Sequence, residues 1–123
     1  MNNVELLKAI YANPELVFEH LHPDFTLHAP GNNLIAGTFR GAEGIKDHFA
    51  DMDRLSTGSF NHDVQEAFLA DENFGMVVHR MEGERNGVQL KMFGFGLWRF
   101  QDGLIIDHWE SVADQALWDR FWS

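Results

Sequence analysis

Cysteine is absent from this sequence, which removes disulfides, thiol nucleophiles and cysteine metal sites together. Basic residues are scarce as well: 9 Lys and Arg stand against 19 Asp and Glu, for a formal charge of −10. That balance repels phosphate backbones, so neither nucleic acid nor an anionic membrane surface is an expected partner. No apolar run approaches the ~18 residues of a membrane-spanning helix. The opening residues, Met1-Asn2-Asn3-Val4-Glu5, lack the basic stretch and apolar core of an export signal. A soluble, cytoplasmic protein is the expectation. There is no internal repeat, no low-complexity segment and no proline-rich linker, so one domain spanning 1–123 is expected. What is present is a hydrophobic content of 45%, enough to close a core and incompatible with disorder.

Periodicity divides the chain into helices first and strands afterwards. Val4, Leu7, Lys8 and Tyr11 fall at helical spacing over residues 4–12, with Asn2 or Asn3 available as N-cap. Asn13-Pro14-Glu15 restarts a helix that buries Leu16, Val17 and Leu21 and stops at Pro23. Phe25–Ala29 alternates as a strand, and Thr38-Phe39-Arg40 leads into a helix from Gly41 to about Leu55 with Ile45, His48, Phe49 and Met52 on one stripe. Strands then follow over Ser59–Leu69, Phe74–Glu84, Val88–Phe100 and Leu104–Val112. Asn86-Gly87 is a strong hairpin signal between two of them. Asp114 is placed to cap a last helix with Leu117, Trp118, Phe121 and Trp122 on its apolar face. Helices preceding a long antiparallel meander indicate an α+β fold.

The strand Leu104–Val112 carries Asp107, His108 and Glu110 within an otherwise apolar segment. Side chains alternate across a strand, so either His108 and Glu110 or Asp107 and Trp109 point toward what the sheet buries. Titratable groups set inside a small domain are candidates for acid–base work. His79 shares the less charged face of its strand with Val77 and Met81, while Arg80, Glu82 and Glu84 share the charged one. His79 is therefore expected inside, as a site residue or as a core histidine bonded to backbone. Trp98 and Phe100 share a face with Gly94 and Gly96, whose missing side chains leave room for a pocket. Trp98 is a ligand platform or a core aromatic.

Three segments carry a resemblance to a known group: Asp24–Gly31, Phe39–Ile45 and Asp102–Trp109. With the terminal Asp119-Arg120-Phe121-Trp122-Ser123, they make the chain similar to the SnoaL-like, nuclear-transport-factor-like superfamily over nearly its whole length. The resemblance implies a cone-shaped α+β domain, helices packed on a curved, mostly antiparallel sheet. It also implies that the fifth and seventh residues after Gly103, His108 and Glu110, line the pocket, with Ile106 and Val112 on the same face. Asp107 and Trp109 then face outward. His28, near the pocket mouth in such sequences, joins the list. The expected catalytic set is thus His108, Glu110, His79 and His28, with Trp98, Phe100, Ile106, Val112 and Met81 lining the pocket.

Superfamily chemistries are not transferable wholesale, because fold does not settle function. Ketosteroid isomerases place an aspartate base where this chain has Ala29, a buried aspartic acid near Gly96 and a helix tyrosine near Glu5 rather than Tyr11. Arg80 with Glu82 and Glu110 imitates the arginine and two aspartates of limonene-type epoxide hydrolases only if His79 turns outward. For the seven histidines, among them His20, His22, His48 and His62, no metal-ligand spacing is present and surface positions are expected. No cofactor and no metal are expected. Two readings stay open: a cofactor-free isomerase, cyclase, dehydratase or hydrolase acting on an apolar or polyketide-like molecule, and a non-catalytic ligand-binding or dimerisation module. Phe93, Phe95 and Trp109, apolar on the outer face, lead to the expectation of a homodimer.

Overall fold

The computed structural model describes residues 1–60 and 62–123, and of His62 only the backbone. Helix α1 spans Asn3–Ala12, and the Asn2 side chain caps it by accepting from the Glu5 amide at 2.9 Å. Its buried face is Leu6, Leu7 and Ile10. The helix expected from Pro14 winds as a short 3-10 helix, Pro14–Glu19, and of the residues expected to be buried only Val17 is fully so. It ends before Leu21, which already belongs to strand β1, Leu21–Ala29. Pro23 is tolerated inside β1 because the ladder to the neighbouring strand is interrupted between Leu21 and Thr26, where no backbone donor is needed.

Strand β2, Gly37–Arg40, forms an edge and runs directly into α2, Gly41–Ser56. Ile45, His48 and Met52 are buried along α2, whereas Phe49, expected on that stripe, is 48% exposed. Strands β3 (His62–Ala70), β4 (Phe74–Arg85), β5 (Val88–Gln101) and β6 (Leu104–Val112) form the meander. Of the expected strand over Ser59–Leu69, Asn61 lies outside the described residues. Both later hairpins turn on left-handed pairs, Asn86-Gly87 and Asp102-Gly103, whose twist matches that of the strands they join. Helix α3, Gln115–Phe121, is capped by Asp114, which accepts from the Leu117 amide at 3.0 Å.

The six strands form one sheet in the order β2-β1-β6-β5-β4-β3. Only β1 and β6 pair in parallel; every other neighbouring pair is antiparallel. The ladder shifts between Gln65 and Ala67 and between Arg99 and Phe100, and such bulges bend a sheet and sharpen its twist. The fold is α+β, as expected.

Two apolar clusters fill the concave side. One joins α1, β1 and the ends of β5 and β6 through Leu7, Phe25, Leu27, Phe100 and Ile105. The other joins α3 to α2 and the far ends of β4 and β5 through Met52, Met81, Leu90, Trp118 and Trp122. Between the two clusters the concave face is left partly unfilled. Among the described residues, no helix is long and apolar enough to cross a membrane.

Candidate active site

A cavity of about 760 Å³ occupies that unfilled space. Its walls come from α1 and the 3-10 helix (Tyr11, Phe18), from α2 (Ile45, Phe49) and from the strands. The strands contribute Asp63, His79, Met81, Trp98, His108, Glu110 and Val112. Most of the wall is apolar or aromatic, and the polar groups converge along β3, β4 and β6.

The β6 alternation is settled by a bulge. Arg99 pairs with Asp107 and Phe100 with Ile105, so Ile106 is the extra residue. Past the bulge His108, Glu110 and Val112 face the cavity, while Asp107 and Trp109 turn to the other face. Ile106 therefore does not line the pocket, contrary to expectation: the inserted residue breaks the parity that relates it to His108. Ile105 is the fully buried neighbour in the core instead. Phe100 also leaves the pocket wall. It packs beneath α1, close to the point where a side chain at Gly75 would meet Leu7, and so belongs to the core floor.

His28 is the third correction. Its Nε2 lies 2.9 Å from Asp107 Oδ1, and its ring stacks on Trp109 at 4.8 Å and 8°. Because β1 pairs in parallel with β6, placing Leu27 beside His108 and His28 beside Trp109, His28 shares the outer face with the residues it touches. Arg99 completes this outer cluster, its Nε donating to Asp107 Oδ2 at 2.8 Å.

Inside the cavity three polar groups are held by separate partners. His108 stacks on Trp98 with ring centres 3.7 Å apart, and its Nδ1–H donates to the Leu97 carbonyl at 3.1 Å. That bond selects the tautomer with a bare lone pair on Nε2. Burial pushes the His108 imidazole down to about 4, against the opposing pull of Glu110 and the Leu97 carbonyl. His108 is thus a neutral acceptor at physiological pH.

Glu110 accepts a hydrogen bond from His48 Nε2 at 2.8 Å. Burial alone would raise its carboxyl, but the hydrogen bond from His48 and the surrounding imidazoles of His48, His108 and His79 together outweigh it. The net direction is below the ordinary carboxylate range. His79 Nδ1–H donates to Asp63 Oδ1 at 2.8 Å, which orients the ring, and its Nε2 edge lies against Gly94. His79 does point inward and Arg80 outward, as the charge pattern of β4 implies.

Tyr11 and His48 were not among the expected site residues. The Tyr11 hydroxyl accepts from Trp98 Nε1 at 3.2 Å. Burial pushes its phenol up, so it keeps its proton. A Cβ at Gly96 would sit 2.7 Å from that hydroxyl and 3.1 Å from His108 Cε1, so the missing side chain is what lets the two groups approach one another. His48 is completely buried rather than on the surface. Its position on the apolar stripe of α2 was the available signal. A polar residue at a core position has to find a partner, and Glu110 is that partner. Among the described residues, no group of three His, Asp or Glu side chains converges as metal ligands would.

This arrangement has chemical consequences. An anionic carboxylate, a neutral imidazole acceptor and a phenol donor border one apolar cavity. They can accept a proton at one end of a small molecule and hydrogen-bond an oxygen at the other.

Comparison with known proteins is consistent with the geometry. Among solved structures, one from Xanthomonas campestris, a protein of unknown function with a cystatin-like fold, is 28% identical with a TM-score of 0.88, covering 100% of this chain and 99% of that one. Bal32a, from a soil-derived mobile gene cassette, is 28% identical with a TM-score of 0.87, covering 98% and 96%. An NTF2-like protein from Burkholderia thailandensis E264 shares the fold at 16% identity, with a TM-score of 0.79 and coverage of 98% and 96%. No curated protein sequence matches the chain. The family profile of the SnoaL-like domain matches residues 10–108. The chain therefore belongs to the SnoaL-like domain family, whose fold includes polyketide cyclases and isomerases.

Proposed function

We propose that this protein is a cofactor-free acid–base enzyme acting on an apolar small molecule that carries an enolisable carbonyl. The reaction class is isomerisation or the related cyclisation and dehydration chemistry. The observation that carries the reading is Glu110: a carboxylate held in its charged form, lining an apolar cavity that the Tyr11 phenol also borders. Glu110 takes the proton from the carbon next to the carbonyl. The C–H electron pair becomes the new C=C bond, and the carbonyl oxygen takes up the negative charge. Tyr11 O–H hydrogen-bonds that oxygen as the charge develops, and the protonated Glu110 returns the proton to a different carbon or to the same one. His108 Nε2 accepts a hydrogen bond from a substrate hydroxyl, and the His79–Asp63 pair supplies a second oriented base at the β3 side.

The test is deuterium incorporation into β-tetralone in deuterated water, followed by NMR. The expected result is protein-dependent exchange that Glu110→Gln abolishes. Exchange that Glu110→Gln leaves unchanged refutes the assignment.

A second reading is favoured by one observation. The single partner of His108 among the described residues is a backbone carbonyl, as in a binding module rather than a relay. Tight binding of β-tetralone, read by quenching of Trp98 fluorescence, with no exchange would select that reading.

We also propose a homodimer through the outer sheet face, supported by Phe93 at 44% exposure and by the Trp109–His28 stack on the same face. Sedimentation as a monomer at micromolar concentration refutes it.

A further inference from the structure

His48 is a residue that packing alone does not explain. It is completely buried in α2, with the Phe39 ring 4.7 Å and the Phe49 ring 5.3 Å from its own. An apolar side chain would satisfy that environment at no polar cost. The imidazole instead leaves its Nδ1 buried with no partner among the described residues. A doubly protonated ring would bury an unpaired N–H there, a desolvation cost with nothing to offset it. The tautomer carrying its proton on Nε2 avoids that penalty, because only a bare lone pair is then left unpaired. The same proton makes the 2.8 Å bond to Glu110 Oε1.

The backbone places the ring where this bond can form. Gly44 precedes His48 by one helical turn on the same face of α2. A Cβ at Gly44 would come within 2.7 Å of the Phe39 backbone, so only glycine lets α2 settle against β2 at this distance. With α2 in that position, His48 reaches across the Phe39 ring to β6.

We propose that His48 is a positioning residue: its Nε2–H fixes the direction of the Glu110 carboxylate, stabilises its charged form, and leaves the second carboxylate oxygen for the ligand. Gly44 is the backbone feature that makes the reach possible. The inference rests on Glu110 being the proton acceptor only for its consequence in catalysis. The hydrogen bond and its effect on Glu110 stand or fall separately.

The groups that act on Glu110 come from three other elements, His48 from α2, His79 from β4 and Tyr11 from α1, with His108 beside it on β6, while Asp63 on β3 holds His79. His48 alone among them is hydrogen-bonded to the carboxylate.

The test is NMR on the intact chain. In the wild type, nitrogen-15 spectra of His48 should show Nε2 carrying the proton that bonds Glu110, and a ring with a bare Nε2 overturns the proposal without any variant. Carbon-13 titration of the Glu110 carboxyl then reads the effect. His48→Phe, which fills the volume without a donor, should raise the Glu110 midpoint by about one pH unit or more. His48→Gln, which keeps an N–H donor, should restore most of the difference. Gly44→Ala should raise the midpoint in the same direction with His48 intact.

A Glu110 midpoint unmoved in folded His48→Phe overturns the proposal. If His48→Phe does not fold, the His48→Gln midpoint and the wild-type tautomer decide. Loss of β-tetralone exchange with an unmoved midpoint would leave the catalytic reading standing and this inference refuted. A shifted midpoint in a protein that never exchanges β-tetralone would do the reverse.

Discussion

Strand β6 carries two histidine–carboxylate pairs on opposite faces, and they are nearly identical in length. Inside, His48 Nε2 meets Glu110 Oε1 at 2.8 Å; outside, His28 Nε2 meets Asp107 Oδ1 at 2.9 Å. The difference lies in what else each carboxylate holds. Asp107 is also gripped by Arg99, through Nε at 2.8 Å and a terminal nitrogen at 2.6 Å, so both of its oxygens are engaged by cationic or cation-capable groups. Glu110 has one hydrogen-bond partner among the described residues and faces a cavity. A saturated carboxylate serves structure, whereas one with unused acceptor capacity in an apolar space is available for chemistry. Burial of the imidazole follows the same division: the His48 side chain has no exposed surface and that of His28 keeps 33%. A pair with an exposed partner is worth little in stability terms.

This contrast generates predictions that separate the faces. The largest effect is expected at Glu110→Gln: removing a positioned base should slow β-tetralone exchange by roughly 10³-fold, measured by NMR. Its stability cost should appear only above the ordinary carboxylate range, where the charged Glu110 contributes to folding. Tyr11→Phe comes next. Losing a donor aimed at the developing oxyanion should cost roughly 10²-fold in exchange rate with little change in binding of β-tetralone.

The third prediction concerns pH and His108. Its imidazole is pushed below the ordinary 6.5 to about 4, so between those values the unfolded chain binds a proton that the folded chain does not. Folding stability should therefore rise with pH from about 4 to 6.5, by on the order of 3 kcal/mol, in chemical denaturation. His108→Gln should flatten that rise. Glu110 shifts downward too, so its contribution is present above the ordinary carboxylate range and is lost only as pH falls through its lowered midpoint. The two windows are distinguishable because His108 acts on the less acidic side.

The smallest effect is expected at His28→Ala. A partly exposed pair that Arg99 can cover should cost about 0–1 kcal/mol and leave exchange unchanged. A large loss of exchange in that variant would bring His28 back into the site.

Much of this division is legible in the sequence, and the failures have identifiable causes. The count from the turn glycine Gly103, which the resemblance supplies, puts His108 and Glu110 on one face, and past the bulge both line the cavity. Ile106 fails because a bulge is a ladder property that depends on the partner strand, here at Arg99 and Phe100. His28 fails because its face is set by the parallel pairing of β1 with β6, a contact spanning most of the chain. The helix begun at Pro14 ends at Glu19 rather than at Pro23, because Pro14 and the early acid signal a helix start and not its length. Tyr11 and His48 were visible as residues on apolar stripes, but their partners Trp98 and Glu110 are 87 and 62 positions away. Local pattern assigns a face; only tertiary packing assigns a partner.

The two faces are compared most directly by making the same chemical change on each, carboxylate to amide, and measuring β-tetralone exchange in folded protein. Glu110→Gln should abolish exchange while Asp107→Asn keeps the wild-type rate, its cost falling on stability instead. No exchange by the wild-type protein, or equal losses in the two variants, would contradict the assignment of acid–base chemistry to the inner pair.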